Sequence, residues 1–150
     1  MKCFFILLTT ILYSVTSRAQ SAEDSVKAAI NNLFTGMKNS DAAAIQQSFS
    51  DSALLQTIAR TKEGVMYVRN ESVAAFARSI SSLPKDAADE RIVFETLKID
   101  GPLAIAWTPY KFYYNGQFSH CGVNSFQLVR LNGQWKIQYL IDTRRKQGCE

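Results

Sequence analysis

The side chains best suited to chemistry lie near the end of the chain. His120 is the only histidine, and its ordinary pKa lies near neutral pH, so it is the first candidate general acid or base. Gly122 leaves room on the same strand face, and Asn124 could orient a ligand. Asp142 lies later in the sequence, two residues before Arg144, and could assist His120. A structural strand histidine, and an ion pair between Asp142 and an arginine, would explain these residues equally well.

A second group of candidates is aromatic or basic. The segment AIAWTPYKFYY is rich in aromatic side chains with polar tips, which suit the wall of a pocket for a flat ligand. Arginines that flank a predicted hairpin could receive an anionic ligand. Core packing or a dimer interface would also explain the aromatic strand, and arginines at strand ends are often solvated. The candidate ligand-binding residues are Trp107, Tyr110, Tyr67, Asn124, Arg60 and Arg69.

Other kinds of site have little support. One histidine and widely spaced cysteines are a poor zinc set, and there is neither a GxGxxG motif nor a P-loop. The sequence therefore predicts no metal and no cofactor. Two of the 17 basic residues fall in the first 19 residues, which leaves 15 against 13 acidic ones. No basic run is interleaved with aromatics, so a nucleic-acid partner is not predicted.

The first residues predict export. Met1-Lys2 is a short basic start, Cys3–Val15 is an apolar run, and Ser17-Arg18-Ala19 fits a cleavage site. We expect a signal peptide over 1–19 and a periplasmic or secreted domain over 20–150. An uncleaved anchor is the alternative, although the apolar run is shorter than the ~20 residues of a membrane span.

Removal of this leader leaves two cysteines, Cys121 and Cys149. In an oxidising compartment they could form a disulfide that ties the end of the chain to an earlier strand and contributes about 3 kcal/mol. A buried Cys121 with a free Cys149, or an intermolecular bond, is equally open.

The candidates near the end of the chain sit on a predicted hairpin. Asn132-Gly133 lies between two alternating apolar runs, which is the strongest local signal for a two-residue turn. The set Trp135, Ile137, Tyr139 and Ile141 is apolar or aromatic and should face the core. A regular strand would then place Asp142 on the opposite face, whereas a β-bulge would reverse that.

The rest of the chain predicts helices first and strands later. Apolar residues at helical spacing indicate one helix before Asn39, a second over about Asp41–Phe49, and a third that starts at Asn70 or Ser72. A turn is expected at Ser50–Ser52 and a loop at Lys85–Asp89. Predicted strands are Leu54–Arg60, Val65–Arg69, Arg91–Ile99 and Leu103–Tyr114. This order predicts an α+β domain with a curved antiparallel sheet.

The same order resembles the nuclear-transport-factor-2-like superfamily, which includes SnoaL-like and lumazine-binding-like groups. The resemblance covers nearly all of 20–150 and is carried by Val26–Ile30 with Phe34, Asp41–Ile45, Phe49–Ala53, Ala106–Tyr110 and Gly133–Ile137. It implies a cone-shaped roll, with three helical segments packed on a strongly curved sheet, and a pocket between the two. It also implies dimerisation through the sheet, and a polar site residue late in the last strand, where Asp142 stands.

The resemblance says less about function than about fold, because this fold hosts many activities. The leading hypothesis is an exported domain without established catalysis that binds a small hydrophobic or aromatic molecule. One alternative is a cyclase, isomerase or hydrolyase in which His120 moves a proton and Asp142 orients it. The other is a structural dimerisation module. No tyrosine with a pair of acids can be matched to the isomerases of the family.

Overall fold

The computed structural model describes residues 21–149. The predicted leader and its cleavage site lie outside these residues. The described part has three helices and seven strands: α1 Ala22–Lys38, α2 Ala42–Ser48, β1 Phe49–Arg60, β2 Met66–Glu71, α3 Val73–Ser81, β3 Ala88–Ile92, β4 Thr96–Asp100, β5 Leu103–Tyr114, β6 Gln117–Leu131 and β7 Gln134–Thr143. No helix in this range is long and apolar enough to cross a membrane.

Each helix begins where a side chain caps its free amide groups. The hydroxyl of Ser21 accepts from the Asp24 amide, the carboxylate of Asp41 from the Ala44 amide, and the hydroxyl of Ser72 from the Ala75 amide. The caps of α2 and α3 match the predicted starts of these helices. The apolar stripe of α1 is buried against the sheet and contains Val26, Ile30, Leu33, Phe34 and Met37.

The strands form one open, curved sheet in the order β2-β1-β7-β6-β5-β3, with β4 also paired to β5. Only β1 and β7 run parallel. The helices cover the concave face, where Phe126, Leu128 and Ile137 are almost fully buried. The predicted α+β class and cone-shaped roll are confirmed.

The predicted strand Arg91–Ile99 is divided into β3 and β4 because of Pro109. Proline has no amide hydrogen to give to a neighbouring strand. Pairing with β5 stops at Ile92, opposite Tyr110, and resumes at Thr96, opposite Trp107. The three residues between Ile92 and Thr96 therefore face only two residues of β5. The predicted Lys85–Asp89 loop also ends early, since β3 begins at Ala88.

The irregularity of β7 decides which of its side chains face inward. Gln127 pairs with Tyr139 and Leu128 with Ile137, so Gln138 is an extra residue, a β-bulge. Trp135 and Ile137 are buried before the bulge, and Leu140 and Asp142 after it. The prediction that Tyr139 and Ile141 continue the inward set is wrong, and the bulged alternative is confirmed.

Neighbouring residues of β1 hold this bulge in place. The Gln138 side-chain oxygen accepts from the Ser50 hydroxyl at 2.7 Å, and its amide donates to the Ser52 carbonyl at 3.1 Å. The predicted Ser50–Ser52 turn is in fact part of β1, in the stretch where its pairing with β7 shifts register.

A disulfide holds the end of the chain against β6. Cys121 and Cys149 are joined, with Cα atoms 5.7 Å apart and a separation of 28 positions in sequence. Reciprocal backbone hydrogen bonds of 2.8 and 2.9 Å also connect Cys121 with Arg145. Closing a loop of this length contributes about 3 to 4 kcal/mol in the chain-entropy description.

Candidate functional site

The candidate site is a cavity of about 120 Å³ between the concave sheet face and helices α1 and α3. Its walls are apolar, and its floor carries acidic, amide, imidazole and guanidinium groups. The lining residues are Leu33, Phe34, Met37, Leu55, Thr57, Glu71, Phe76, Ile80, Glu90, Phe112, His120, Asn124, Leu140, Asp142 and Arg144.

A row of four polar side chains crosses the sheet beneath this cavity. Thr57 on β1 lies opposite Asp142 on β7, which lies opposite Asn124 on β6, which lies opposite Thr108 on β5. All four are buried, and the Thr108 hydroxyl is the one side-chain polar atom that is fully buried without a partner in the described range. Buried polar groups without partners cost free energy, so a polar row in a core indicates a site and not simple packing.

Asp142 is the anchor of this polar row. Its two carboxylate oxygens accept from Thr57 at 2.6 Å and from Tyr110 and Arg144 at 3.0 and 2.9 Å. The Arg144 side chain is 47% exposed and closes one end of the floor. Every Asp142 oxygen is therefore engaged by a neighbour, which suits a carboxylate that positions other groups.

Glu90 is a site residue that was not among the sequence-based candidates. Its Oε1 accepts from the Asn124 amide nitrogen at 2.8 Å. Desolvation raises the pKa of Glu90 to about 7; the Asn124 hydrogen bond opposes this, Asp142 adds to it and Arg144 opposes it. The residue as a whole keeps some exposed surface, but its carboxyl group is dehydrated. One signal could have found it, since Glu90 precedes the inward-facing Ile92 by two residues on the same strand.

His120 lines the cavity without touching Asp142. Its ring lies between Tyr110 and Phe112, with ring centres 5.7 and 5.0 Å away, and its Nδ1 is 3.1 Å from the Ser119 hydroxyl. Burial lowers the pKa of His120, and Arg144 and Lys146 lower it further against the opposing effect of Asp142. The imidazole is therefore neutral at pH 7.

Tyr110 connects His120 with Asp142. Its hydroxyl donates to Asp142 and lies 2.9 Å from the carbonyl oxygen of Thr143. Burial raises the pKa of Tyr110, as do the negative charges of Asp142 and Glu90. The phenol stays protonated and acts as a hydrogen-bond donor within the floor.

Among the other predicted ligand-binding residues, Tyr110 supports the floor without lining the cavity, and the rest lie outside it. Trp107 is 45% exposed because it alternates with the buried Ala106 and Thr108 and so faces the convex side. Tyr67 is 46% exposed on the edge strand β2. Arg60 and Arg69 line a separate depression of about 260 Å³, which shares Thr57 and Arg144 with the cavity.

A larger depression of about 510 Å³ between α1, α2 and the β6–β7 turn is a weaker candidate. Its charged side chains are already used in the fold, since Asp41 caps α2 and Lys136 donates to the Gln47 carbonyl. Over residues 21–149, no group of three or more His, Cys, Asp or Glu side chains is arranged to hold a metal ion.

Comparison with known proteins identifies the fold and the family. Residues 21–139 match the family described as "Putative lumazine-binding". Solved structures of NTF2-like proteins of unknown function are similar at low identity. Those from Shewanella baltica and Silicibacter pomeroyi are 13% and 16% identical, each with a TM-score of 0.64, and cover 82% and 81% of this chain and 93% of their own.

An NTF2-like protein with a cystatin-like fold from Novosphingobium aromaticivorans is 14% identical, with a TM-score of 0.65 over 84% of this chain and 83% of its own. At these identities the solved structures show the shared fold alone. No protein of curated function matches the sequence significantly.

Proposed function

Since this chain belongs to the lumazine-binding-like family of the nuclear-transport-factor-2-like superfamily, we propose that it is an exported domain that binds a small molecule in the cavity between its sheet and helices. The observation that carries the proposal is the combination of apolar walls with a polar floor whose groups are only partly paired. Binding sites for small molecules usually combine such walls with a few well-placed polar groups.

The size of the cavity limits the ligand. An engineered apolar cavity of about 150 Å³ accommodates benzene, and the cavity here measures about 120 Å³. The enclosed part of this partly open cavity therefore holds about one small ring or a short branched chain. Lumazine, named in the family description, is a fused two-ring compound and exceeds this volume.

Filling the cavity should abolish binding. Leu55 lines the cavity, while its neighbour Leu54 is 58% exposed on the other side of the same strand. We expect isobutanol to shift NMR signals of cavity residues in the wild type and in Leu54→Trp, but not in Leu55→Trp. Circular dichroism would confirm that both variants are folded.

Two outcomes of this titration would contradict the proposal. One is a wild-type spectrum that isobutanol leaves unchanged. The other is binding that survives in a folded Leu55→Trp. If the titration instead supports the site, native mass spectrometry of the protein purified from its own cells would identify its natural occupant.

A cyclase, isomerase or hydrolyase is the second candidate, favoured by the presence of His120, Glu90 and Asp142 around one cavity. Binding has the stronger support, because Asp142 has both oxygens engaged and does not orient His120. If a proton is moved here, Glu90 is the better carboxyl, since one of its oxygens has no hydrogen bond within residues 21–149.

The proposal includes a homodimer formed through the convex face. Val93, Leu103, Ile105 and Trp107 are between 43% and 66% exposed there, and an exposed apolar patch of this kind often marks an interface. We expect sedimentation to show a dimer for the wild type and a monomer for Trp107→Asp. Val65→Asp, where the valine is 62% exposed near the opposite edge of the sheet, should remain dimeric, and a dimeric Trp107→Asp would refute the interface.

Export is supported by the sequence of the first 19 residues and by the Cys121–Cys149 disulfide, since such bonds persist in oxidising compartments. The mass of the purified protein tests it. A chain that starts at Gln20 and is two hydrogens lighter than its reduced form is expected. A full-length chain found with cytoplasmic proteins would argue against export.

A further inference from the structure

The free hydrogen-bonding atoms of the cavity floor are mainly acceptors. The Asn124 amide nitrogen donates to one oxygen of Glu90. The other Glu90 oxygen and the Asn124 amide oxygen have no hydrogen-bond partner among residues 21–149, and neither is fully buried within protein. Asn124 is only 4% exposed, so its amide oxygen is directed into the cavity that it lines. A ligand that satisfies both atoms must supply N–H or O–H donors.

The charges around the cavity also favour a donor that is positive. Three carboxyl groups line it, from Glu71, Glu90 and Asp142, against the single guanidinium of Arg144. His120 contributes no positive charge, because burial lowers its pKa. Arg144 is paired with Asp142 at 2.9 Å. Glu71 and Glu90 form no salt bridge within the described residues, so this part of the cavity is electrostatically negative.

The apolar walls determine the chemistry of the part of the ligand that faces the helices. Leu33, Phe34, Met37, Phe76 and Ile80 face the floor from α1 and α3, and they can contact only an apolar body. Aromatic rings also attract cations by their electron-rich faces. The volume of about 120 Å³ leaves room for a hydrocarbon body that is smaller than a substituted benzene ring.

Building on the small-molecule-binding function above, we propose that the ligand is a small organic cation. It carries an ammonium or amidinium group whose N–H donors bind Glu90 and Asn124, and a short branched or cyclic hydrocarbon body that contacts the helices. Glu90 is the residue that determines the specificity for positive charge.

An anionic ligand is the competing possibility. Arg60 and Arg69 line the neighbouring depression together with Arg144, and an anion would bind there. That depression is separate from the Glu90 end of the cavity, and Arg144 is already paired with Asp142. The arginines therefore do not supply an anion site inside the cavity, and an anionic probe distinguishes the two possibilities.

The test uses three probes of nearly equal shape: isobutylamine as the cation, isobutanol as the neutral molecule and isovalerate as the anion. Affinities are measured by NMR titration of the full-length mature protein at pH 8. We expect isobutylamine to bind at least tenfold more tightly than isobutanol, and isovalerate to bind more weakly than both.

Glu90→Gln should remove this preference, because it keeps the size and the hydrogen bond to Asn124 but loses the charge and replaces the free acceptor oxygen with an NH2 donor. The quantity compared is the ratio of isobutylamine to isobutanol affinity in each protein. Glu95→Gln is the matched control, since it removes one carboxylate from an exposed position outside the cavity, and it should behave as the wild type.

The preference for the amine should also grow with pH between 6 and 8, as Glu90 loses its proton. The other ionisable groups that face Glu90 from the cavity and its floor come from four other elements: Asp142 on β7 with Arg144 just after it, His120 on β6, Tyr110 on β5 and Glu71 at the end of β2. On β3 itself, the neighbouring Asp89 is paired with Arg91 and Lys38.

The outcomes separate the two proposals. Equal affinity for amine and alcohol, tighter binding of isovalerate, or a cation preference that survives in Glu90→Gln would overturn the cation proposal and leave the binding function standing. If none of the three probes shifts the cavity signals, the binding function itself is refuted.

Discussion

Gly122→Ala should be the most destabilising glycine-to-alanine substitution within residues 21–149. A Cβ atom at Gly122 would overlap the carbonyl oxygen of Thr143 and lie 2.7 Å from Cε1 of Tyr110. The first neighbour is backbone, which cannot rotate away as a flexible side chain can. Relief would require β6 and the end of β7 to separate.

The surroundings of Gly122 resist that separation. The Thr143 carbonyl oxygen lies 2.9 Å from the Tyr110 hydroxyl, the Thr143 hydroxyl accepts from the Val123 amide, and Cys121 next to Gly122 is bonded to Arg145 and Cys149. A shift of Thr143 would break contacts of the cavity floor as well. We therefore expect a loss of about 3 kcal/mol or more, at the upper end of overpacking effects.

Urea denaturation measures this effect, and Gly101→Ala is the control. Gly101 has a φ of +53°, but no atom lies within 4 Å of the position that a Cβ would take there, so alanine costs only the ~1 to 2 kcal/mol of a left-handed backbone. A Gly122→Ala protein as stable as Gly101→Ala would show that the strands can separate cheaply. If the destabilisation is larger still, Gly122→Ala will not be obtained as soluble protein under conditions that yield soluble Gly101→Ala, and this outcome would also support the prediction.

Glu90→Gln should stabilise the protein, and increasingly so as the pH rises. The pKa of Glu90 is about 7 in the folded protein, mainly through desolvation, against an ordinary value of 4.5. Between these two values the folded protein holds a proton that the unfolded chain has lost. The contribution of Glu90 to the free energy of unfolding is therefore most favourable below pH 4.5 and is lost as the pH rises through 7.

Glutamine removes this dependence, because it stays neutral and its side-chain oxygen can still accept from Asn124. One pKa unit corresponds to about 1.4 kcal/mol, so the stabilisation approaches roughly 3 kcal/mol at pH 8. Denaturation curves of wild type and Glu90→Gln at pH 4, 6 and 8 measure the difference, which should be near zero at pH 4.

Glu95→Gln again serves as the control and should follow the wild-type curve. A Glu90→Gln protein that is no more stable than wild type at pH 8 would show that the carboxylate is not desolvated. If the gain is found, the wild type retains a costly charge at neutral pH. A residue that costs stability is a common sign of function, in agreement with a role in ligand recognition.

The parts of the fold that were predictable from sequence are those that depend on local chemistry. Asn132-Gly133 forms the hairpin turn, with φ of +50° and +82°, because few other residue pairs accept such angles. Ser72 caps α3 for an equally local reason. The break that Pro109 causes could not be located from local sequence, since it falls on the neighbouring strands β3 and β4.

The site was harder to predict because its lining residues come from six strands and two helices. Trp107 and Tyr110 belong to one aromatic segment, yet three residues of strand place them on opposite faces, and the inward face was not known in advance. Glu90 stands in the sequence among polar residues, and only the helices packed above it make it a desolvated carboxyl. Burial of a charged group is a tertiary property, which local patterns do not encode.

The extra residue at Gln138 has a consequence for tracing this site through evolution. Side chains on a strand alternate like odd and even numbers, and one inserted residue exchanges odd for even from that point onward. In a strand without the insertion, an aspartate faces the cavity six places after the equivalent of Trp135, whereas here the bulge puts the inward aspartate seven places after it. Inheritance of the Asp142 site therefore depends on the length of the strand as much as on the identity of the residue, and a relative with a one-residue gap here can keep the aspartate on the floor of the cavity.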